Sequence, residues 1–393
     1  MNSLDVALLA AAMAGDLRAA KNLVSMKSGD VANVDAPSAS GCRALEAAVV
    51  LGQEDIVGLL LEHGASPNQN RDERKSAMVL AVQSSRERAA GVLGKLIAAG
   101  GDVRQKFIFN GASLLAEAAR ARQAASMELL IAAKASARDV DACGQTALHA
   151  AAAWAGPREI GILARAGASM DYPYAVDGSS ESRIPSKTMS PLAFASSLGI
   201  FANVEALLAE GADANALGLD GRSALFAAAA AAGQGGDCVA ALVAAGGDPN
   251  HADKEGVTPL MIAAMHGRAG AASELLLAGA DPLAKSSKGW SPIIFAAKHG
   301  RDECVSLLLG KSSLGEVDVE GESLAEFALA GGCSEQTRRL IGEAAALPDL
   351  KLALKGRPFG AMTALAQKRS RAIMLSTGRK NLTLRSGPKS RPS

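Results

Sequence analysis

The imidazoles and thiols of this 393-residue chain, the side chains that serve zinc binding and thiolate or base chemistry, number ten: His63, His149, His251, His266 and His299, with Cys42, Cys143, Cys238, Cys304 and Cys333. A zinc site draws its ligands from short paired spacings, and neither a His-x-x-x-His nor a Cys-x-x-Cys pair occurs. His63, His266 and His299 each precede a glycine, as a turn contact at a helix end does, while His251 falls in a polar loop and reads as surface. Cys238 and Cys304 hold the register of Ile56 and read as buried core. Cys42 and Cys143 adjoin glycines and are open enough to react, yet nothing is spaced to act as their base. The cluster Gly233-Gln234-Gly235-Gly236 lacks the Lys-Ser/Thr of a phosphate loop and reads as a lengthened turn. Asp213, Asp248 and Asp281 recur at matching places, as loop-shaping residues do and a glycosidase pair does not. These residues point to no enzyme, no cofactor and no metal.

What they share is a frame. Starting from Gly256-Val257-Thr258-Pro259-Leu260, Ala263-Ala264, Gly267, Leu275-Leu276 and Gly279-Ala280-Asp281-Pro282, the same pattern returns in both directions. The first-helix anchors are Leu8, Leu45, Met78, Leu115, Leu148, Leu192, Leu225, Leu260, Ile293 and Ala325, with a base period of 33 residues and longer steps after Leu8, Met78, Leu148 and Leu225. Each unit predicts a short helix with small residues on one face, a turn at a glycine such as Gly15, Gly52, Gly199, Gly267 or Gly300, and a second helix with a larger apolar stripe. A finger-like loop rich in Asp and Asn follows, as at Asp213 to Asn215 and Asp248 to Asn250. One such unit cannot bury both of its faces, so stability must come from stacking.

This frame resembles the ankyrin repeat family over about residues 4–345. Thr146-Ala147-Leu148-His149 and Thr258-Pro259-Leu260-Met261 match its helix-opening motif, and Gly246-Gly247-Asp248-Pro249-Asn250 its end-of-repeat signature. The fold class implied is all-α: an ankyrin-repeat solenoid of about ten helix-turn-helix units with a basic C-terminal tail. The opening histidine survives only at His149 and is replaced by Glu46, Val79, Ala116, Ala193, Phe226, Met261 and Ile294. Its hydrogen bonds must then come from Ser or Thr alone, as at Ser190, Ser223 and Ser291, or be lost.

Composition agrees. Hydrophobic residues make up 49% but aromatics only 3%, which suits a thin repeated core better than a deep globular one. The net charge of +1 conceals an asymmetry: eleven of the 41 Lys and Arg lie after residue 350 with no acid among them, leaving 30 bases against 40 acids in the body. An odd number of scattered cysteines favours a reducing compartment. Residues 1–14 lack a basic leader and carry Asp5, so they are not read as a signal peptide, and the alanine runs are too short to span a bilayer.

Two segments are expected: a solenoid over 1–346, with its largest inter-repeat insertion at 171–187, and a largely disordered basic tail over 347–393. The closing unit has Glu322, Glu326, Glu335, Arg338 and Arg339 for a polar end face. The insertion holds Tyr172 and Tyr174 and reads either as a tolerated surface loop or as a partner-contacting one. Trp290 sits on the finger side, for an interface or for packing over the adjacent loop. Trp154 is read as filling a void beside alanines, the alternative being the groove.

The resemblance implies a protein–protein interaction scaffold or adaptor, a cytoplasmic monomer that binds a partner on its concave and finger-loop surface. The candidate contacts are Trp290, Tyr172, Tyr174, Asp220, Asp253 and Lys254, and the acidic body suggests a basic partner. The alternative is a secreted bacterial effector acting on host proteins, with Lys368, Arg369, Arg371, Arg379 and Lys380 in transport, host-cell delivery or nuclear targeting. Contact of this tail with nucleic acid or an anionic membrane is the weaker reading, because no aromatic follows Phe359 to stack on bases. A catalytic tail is disfavoured, since no His, Cys, Asp or Glu follows residue 349.

Overall fold

The computed structural model describes residues 3–25, 32–39, 41–68, 76–84, 89–107, 110–171, 189–218, 220–311 and 323–346. They form ten successive helix pairs. The first five are α1 (Ser3–Ala14) with α2 (Leu17–Val24), α3 (Ala44–Val50) with α4 (Glu54–Glu62), α5 (Ala77–Gln83) with α6 (Ala89–Ala98), α7 (Leu114–Arg120) with α8 (Ala124–Ala132), and α9 (Ala147–Trp154) with α10 (Pro157–Arg165). The second five are α11 (Pro191–Leu198) with α12 (Phe201–Ala209), α13 (Ala224–Ala230) with α14 (Gly235–Ala244), α15 (Pro259–His266) with α16 (Ala269–Leu277), α17 (Pro292–Lys298) with α18 (Asp302–Leu308), and α19 (Leu324–Ala330) with α20 (Glu335–Ala346).

Helices this short are not stable alone, and their stability comes from neighbours. First helices stack on first helices, α7 on α9 and α15 on α17 among them, and second helices on second helices, as α12 does on α14. Nine of the ten predicted anchors are buried in one continuous core. The tenth, Ala325, is exposed, because no described unit follows to cover it; Leu324, Phe327 and Ala328 hold that unit on the stack instead. Glu326, Glu335, Arg338 and Arg339 are exposed on the same unit, while Glu322 lies outside the described residues. Cys238 and Cys304 are fully buried, and burial pushes both thiols up to about 11, so neither supplies a thiolate near neutral pH.

The predicted turn glycines Gly15, Gly52, Gly199, Gly267 and Gly300 all have positive φ. Unit four departs from this rule twice, with Arg122 (φ 57) after its first helix and Lys134 (φ 68) after its second. At the position of Lys134 other units carry Gly64, Gly167, Gly211 or Gly246, and a Cβ added at any of these would meet nothing within 4 Å. Space is therefore not the constraint on Lys134; the left-handed backbone is, at a cost of roughly 1–2 kcal/mol for a residue with a side chain. Lys134→Gly is expected to stabilise the protein by about 1 kcal/mol, read as a higher urea midpoint at unchanged slope. A lower midpoint would contradict this account of the turn.

Helix starts show how the lost histidines are replaced. Ser190 and Ser113 cap directly, their hydroxyls accepting from Ala193 N at 3.2 Å and Ala116 N at 3.2 Å. Ser223 is buried with no partner for its hydroxyl, so unit seven loses this bond. Glu46 and Glu326 reach back instead, accepting from Arg43 N at 2.7 Å and Ser323 N at 2.6 Å. The surviving His149 is 1% exposed: Nδ1 accepts from Thr146 N at 3.1 Å, and Nε2–H donates to Met189 O at 3.1 Å, tying unit five to unit six. Both ring nitrogens are spent on the neutral form.

Burial accordingly lowers the His149 pKa from 6.5 to about 4. Because the folded value lies below the unfolded one, its contribution is complete above pH 6.5 and is lost as the pH falls towards 4. Over that window the loss is roughly 3 kcal/mol, at about 1.4 kcal/mol per pH unit. Denaturant titrations at pH 7, 5.5 and 4.5 should show this slope, and His149→Gln should flatten it; an unchanged slope in the variant would place the acid sensitivity elsewhere.

Candidate interaction groove

The fingers are braced before they contact anything else. Asn68, Asn215 and Asn250 each clamp the next unit's loop: Nδ2 donates to the oxygen of Gly100, Gly246 or Gly279 at 2.8–3.0 Å, and Oδ1 accepts from the backbone N of Asp102, Asp248 or Asp281 at 2.7–2.9 Å. Arg138 takes the place of such an Asn and donates to Gly167 O at 3.1 Å. Isolated antiparallel bridges at Lys106 with Ser113 and at Val140 with Thr146 close two more loops. His251, expected at the surface, is half-buried; Nε2 bonds the Gly221 oxygen at 2.8 Å and the ring meets Phe226 edge-on at 6.2 Å. Fingers and first helices thus form a rigid wall and floor.

Between them runs a groove of about 880 Å³, from Arg120 in unit four to Phe295 in unit nine. Its floor comes from two registers of the first helix. Two residues past the anchor stand Phe194, Ala227, Ile262 and Phe295; five past it stand Arg120, Ser197, Ala230 and Met265. Lys298 holds this second register at the end of α17. Phe194, Ile262, Met265 and Phe295 from these registers, with Phe226 one residue past its anchor, therefore share a surface with polar finger residues, the composition of a site that takes a partner's side chains.

A tryptophan stands near each end. Trp154, read from sequence as packed beside alanines, is instead 49% exposed and lines the groove. It is the last residue of α9, so its ring projects past the small residues below, meets Phe194 edge-on at 6.2 Å and takes the Arg120 guanidinium over its face at 5.6 Å. Helix α9 has no glycine to close it, and its open carbonyls are met by the buried Asn203, whose Nδ2 reaches Ala152 O at 3.0 Å. Trp290 is half-buried, meeting Phe295 of α17 edge-on at 5.4 Å and Phe327 of α19 at 5.8 Å while lining the groove.

The other candidate contacts separate. Asp220 is half-buried in the groove, 4.0 Å from Arg222. Asp253 is only 9% exposed and accepts from Arg222 Nη2 at 2.8 Å and from the backbone N of Glu255 and Val257, so it braces its finger. Lys254 is exposed next to it. Tyr172, Tyr174 and the tail residues Lys368, Arg369, Arg371, Arg379 and Lys380 lie outside the described residues. Sequence reading missed Phe194, Met265, Phe295 and Lys298, whose shared offsets from the anchors were the available signal, and noted Phe226 only as a replacement for the opening histidine.

Among the described residues no group of three His, Cys, Asp or Glu could hold a metal ion, and no helix is long and apolar enough to cross a membrane. Paired short helices stacked through a common core, with braced fingers on one edge, define a helical repeat solenoid. The family model for ankyrin repeats matches residues 3–71, 192–286 and 225–321. The chain belongs to the ankyrin repeat family, and carries its general role in protein–protein interaction. Units over 72–191, between the matched stretches, repeat the same pairing of helices. Comparison with curated proteins gives no match.

Proposed function

We propose that the chain is a non-catalytic scaffold that captures a segment of a partner protein along the groove from Arg120 to Phe295. The observation that carries this reading is the apolar, ring-bearing floor held open beside fingers that are already hydrogen-bonded to one another. Preorganised walls lower the ordering cost of binding, and exposed aromatic area supplies its drive. Glu205 on α12 is exposed and lies outside the groove lining, so it serves as a control position.

A groove-filling variant tests it. Ser197 is half-buried on the floor, and Ser197→Arg places a long charged side chain where the partner would lie. Proteins co-purifying from native cells should be lost with Ser197→Arg and kept with the convex control Glu205→Arg. Equal retention by both variants would move the interaction off the groove.

A further inference from the structure

The cations in the groove (Arg120, Arg222 and Lys288) and at its edge (Lys298) are of two kinds. Arg120 lies over Trp154 and Arg222 over Phe226, at 5.6 and 5.7 Å, and each is neutralised by two carboxylates: Glu117 and Asp141 for the first, Asp253 at 2.8 Å and Asp220 at 4.0 Å for the second. Lys288 and Lys298 differ. Their ammonium groups sit 5.2 and 3.9 Å from the centre of the one Trp290 ring, and Lys298 is also 5.6 Å from Phe327. Both are exposed, and among the described residues neither has a carboxylate within ion-pair distance. Two like charges are therefore held against one indole ring, and among the described residues the ring quadrupoles are what attract them.

We infer that the Lys288–Trp290–Lys298 corner takes a carboxylate side chain of the partner, so that the segment in the groove is acidic at the end lying on unit nine and apolar along the rest. This inference rests on the docking reading above and adds its polarity. A carboxylate at this corner offsets the two positive charges and accepts charge-assisted hydrogen bonds from the exposed ammonium groups, while the apolar residues that follow it meet Phe295, Met265, Phe226 and Phe194. A uniform polyanion such as a nucleic acid fits less well, because Asp141, Asp220 and Glu255 line the same groove and would repel it. The basic partner expected from the body's excess of acid averages over the whole surface; at this corner the local charge has the opposite sign.

The test is selection from a random 16-residue peptide library displayed on phage against the full-length protein, with Ser197→Arg to subtract binding outside the groove. Wild type should enrich peptides with a cluster of Asp or Glu at one end and large apolar residues beyond it. A synthetic peptide from that pool should bind the double variant Lys288→Glu, Lys298→Glu at least ten-fold more weakly, and the neutral double variant Lys288→Gln, Lys298→Gln by an intermediate factor, with helical circular dichroism unchanged. Groove-dependent peptides with no acidic preference would overturn this inference and leave the docking reading standing. Enrichment that survives Ser197→Arg, or none at all, would overturn both. Displacement of the peptide by an equal concentration of 20-nucleotide single-stranded DNA would show the corner to be a phosphate site and overturn the inference.

Discussion

Gly331→Ala is expected to detach the last unit from the stack. Gly331 closes α19 with φ −75, a conformation any residue adopts, so backbone freedom is not what fixes it. Proximity is. A Cβ there would lie 2.6 Å from the carbonyl carbon and oxygen of Lys298 and closer still to the Ala297 oxygen. Those are backbone atoms of α17, which cannot swing aside as a side chain would. Overpacking in a filled core costs typically about 1–3 kcal/mol, and a rigid backbone neighbour places this case at or above the top of that range. The tenth unit has no described neighbour beyond it to share the cost, so α19 and α20 should lose hydrogen-exchange protection while units one to eight keep theirs. Protection that stays uniform along the chain would show that the interface yields without separating.

Trp290→Ala should weaken partner binding by roughly 30-fold or more, the loss of about 2 kcal/mol that marks a hot-spot aromatic. Its ring is held by edge-on contacts with Phe295 and Phe327 and lines the groove, so it is positioned before the partner arrives. Removing it also frees the two lysines it organises, which is why the effect should exceed that of Trp154→Ala, whose guanidinium neighbour is already held by carboxylates. Titration calorimetry with one purified partner and both variants makes the comparison. A larger loss from Trp154 would put the binding focus at the other end of the groove.

The elements were legible in the sequence for a physical reason. Anchors such as Leu148 and Leu260 and turn residues such as Gly199 and Gly267 answer to burial and to backbone geometry, constraints that act within one unit and recur every 33 residues. The site depends on relations between units. Whether a cation is neutralised, as Arg222 is by Asp253, or has no carboxylate at ion-pair distance among the described residues, as with Lys298, turns on what neighbouring units place beside it. His251 reads as surface until its contact with the preceding finger is seen, and Trp154 reads as packing until the end of α9 fixes its direction. Arg122 and Lys134 were hidden for the opposite reason, since a left-handed turn carried without glycine leaves no mark in composition.

The central claim is that the groove receives the partner, and site-specific photo-crosslinking tests it most directly. With a photoreactive phenylalanine analogue at Ser197 on the floor or at Glu205 on the convex face, irradiation in native cells should give a discrete adduct from position 197 that Trp290→Ala abolishes. Position 205 should give none. An adduct that forms from 205, or one from 197 that is indifferent to Trp290, would contradict the account.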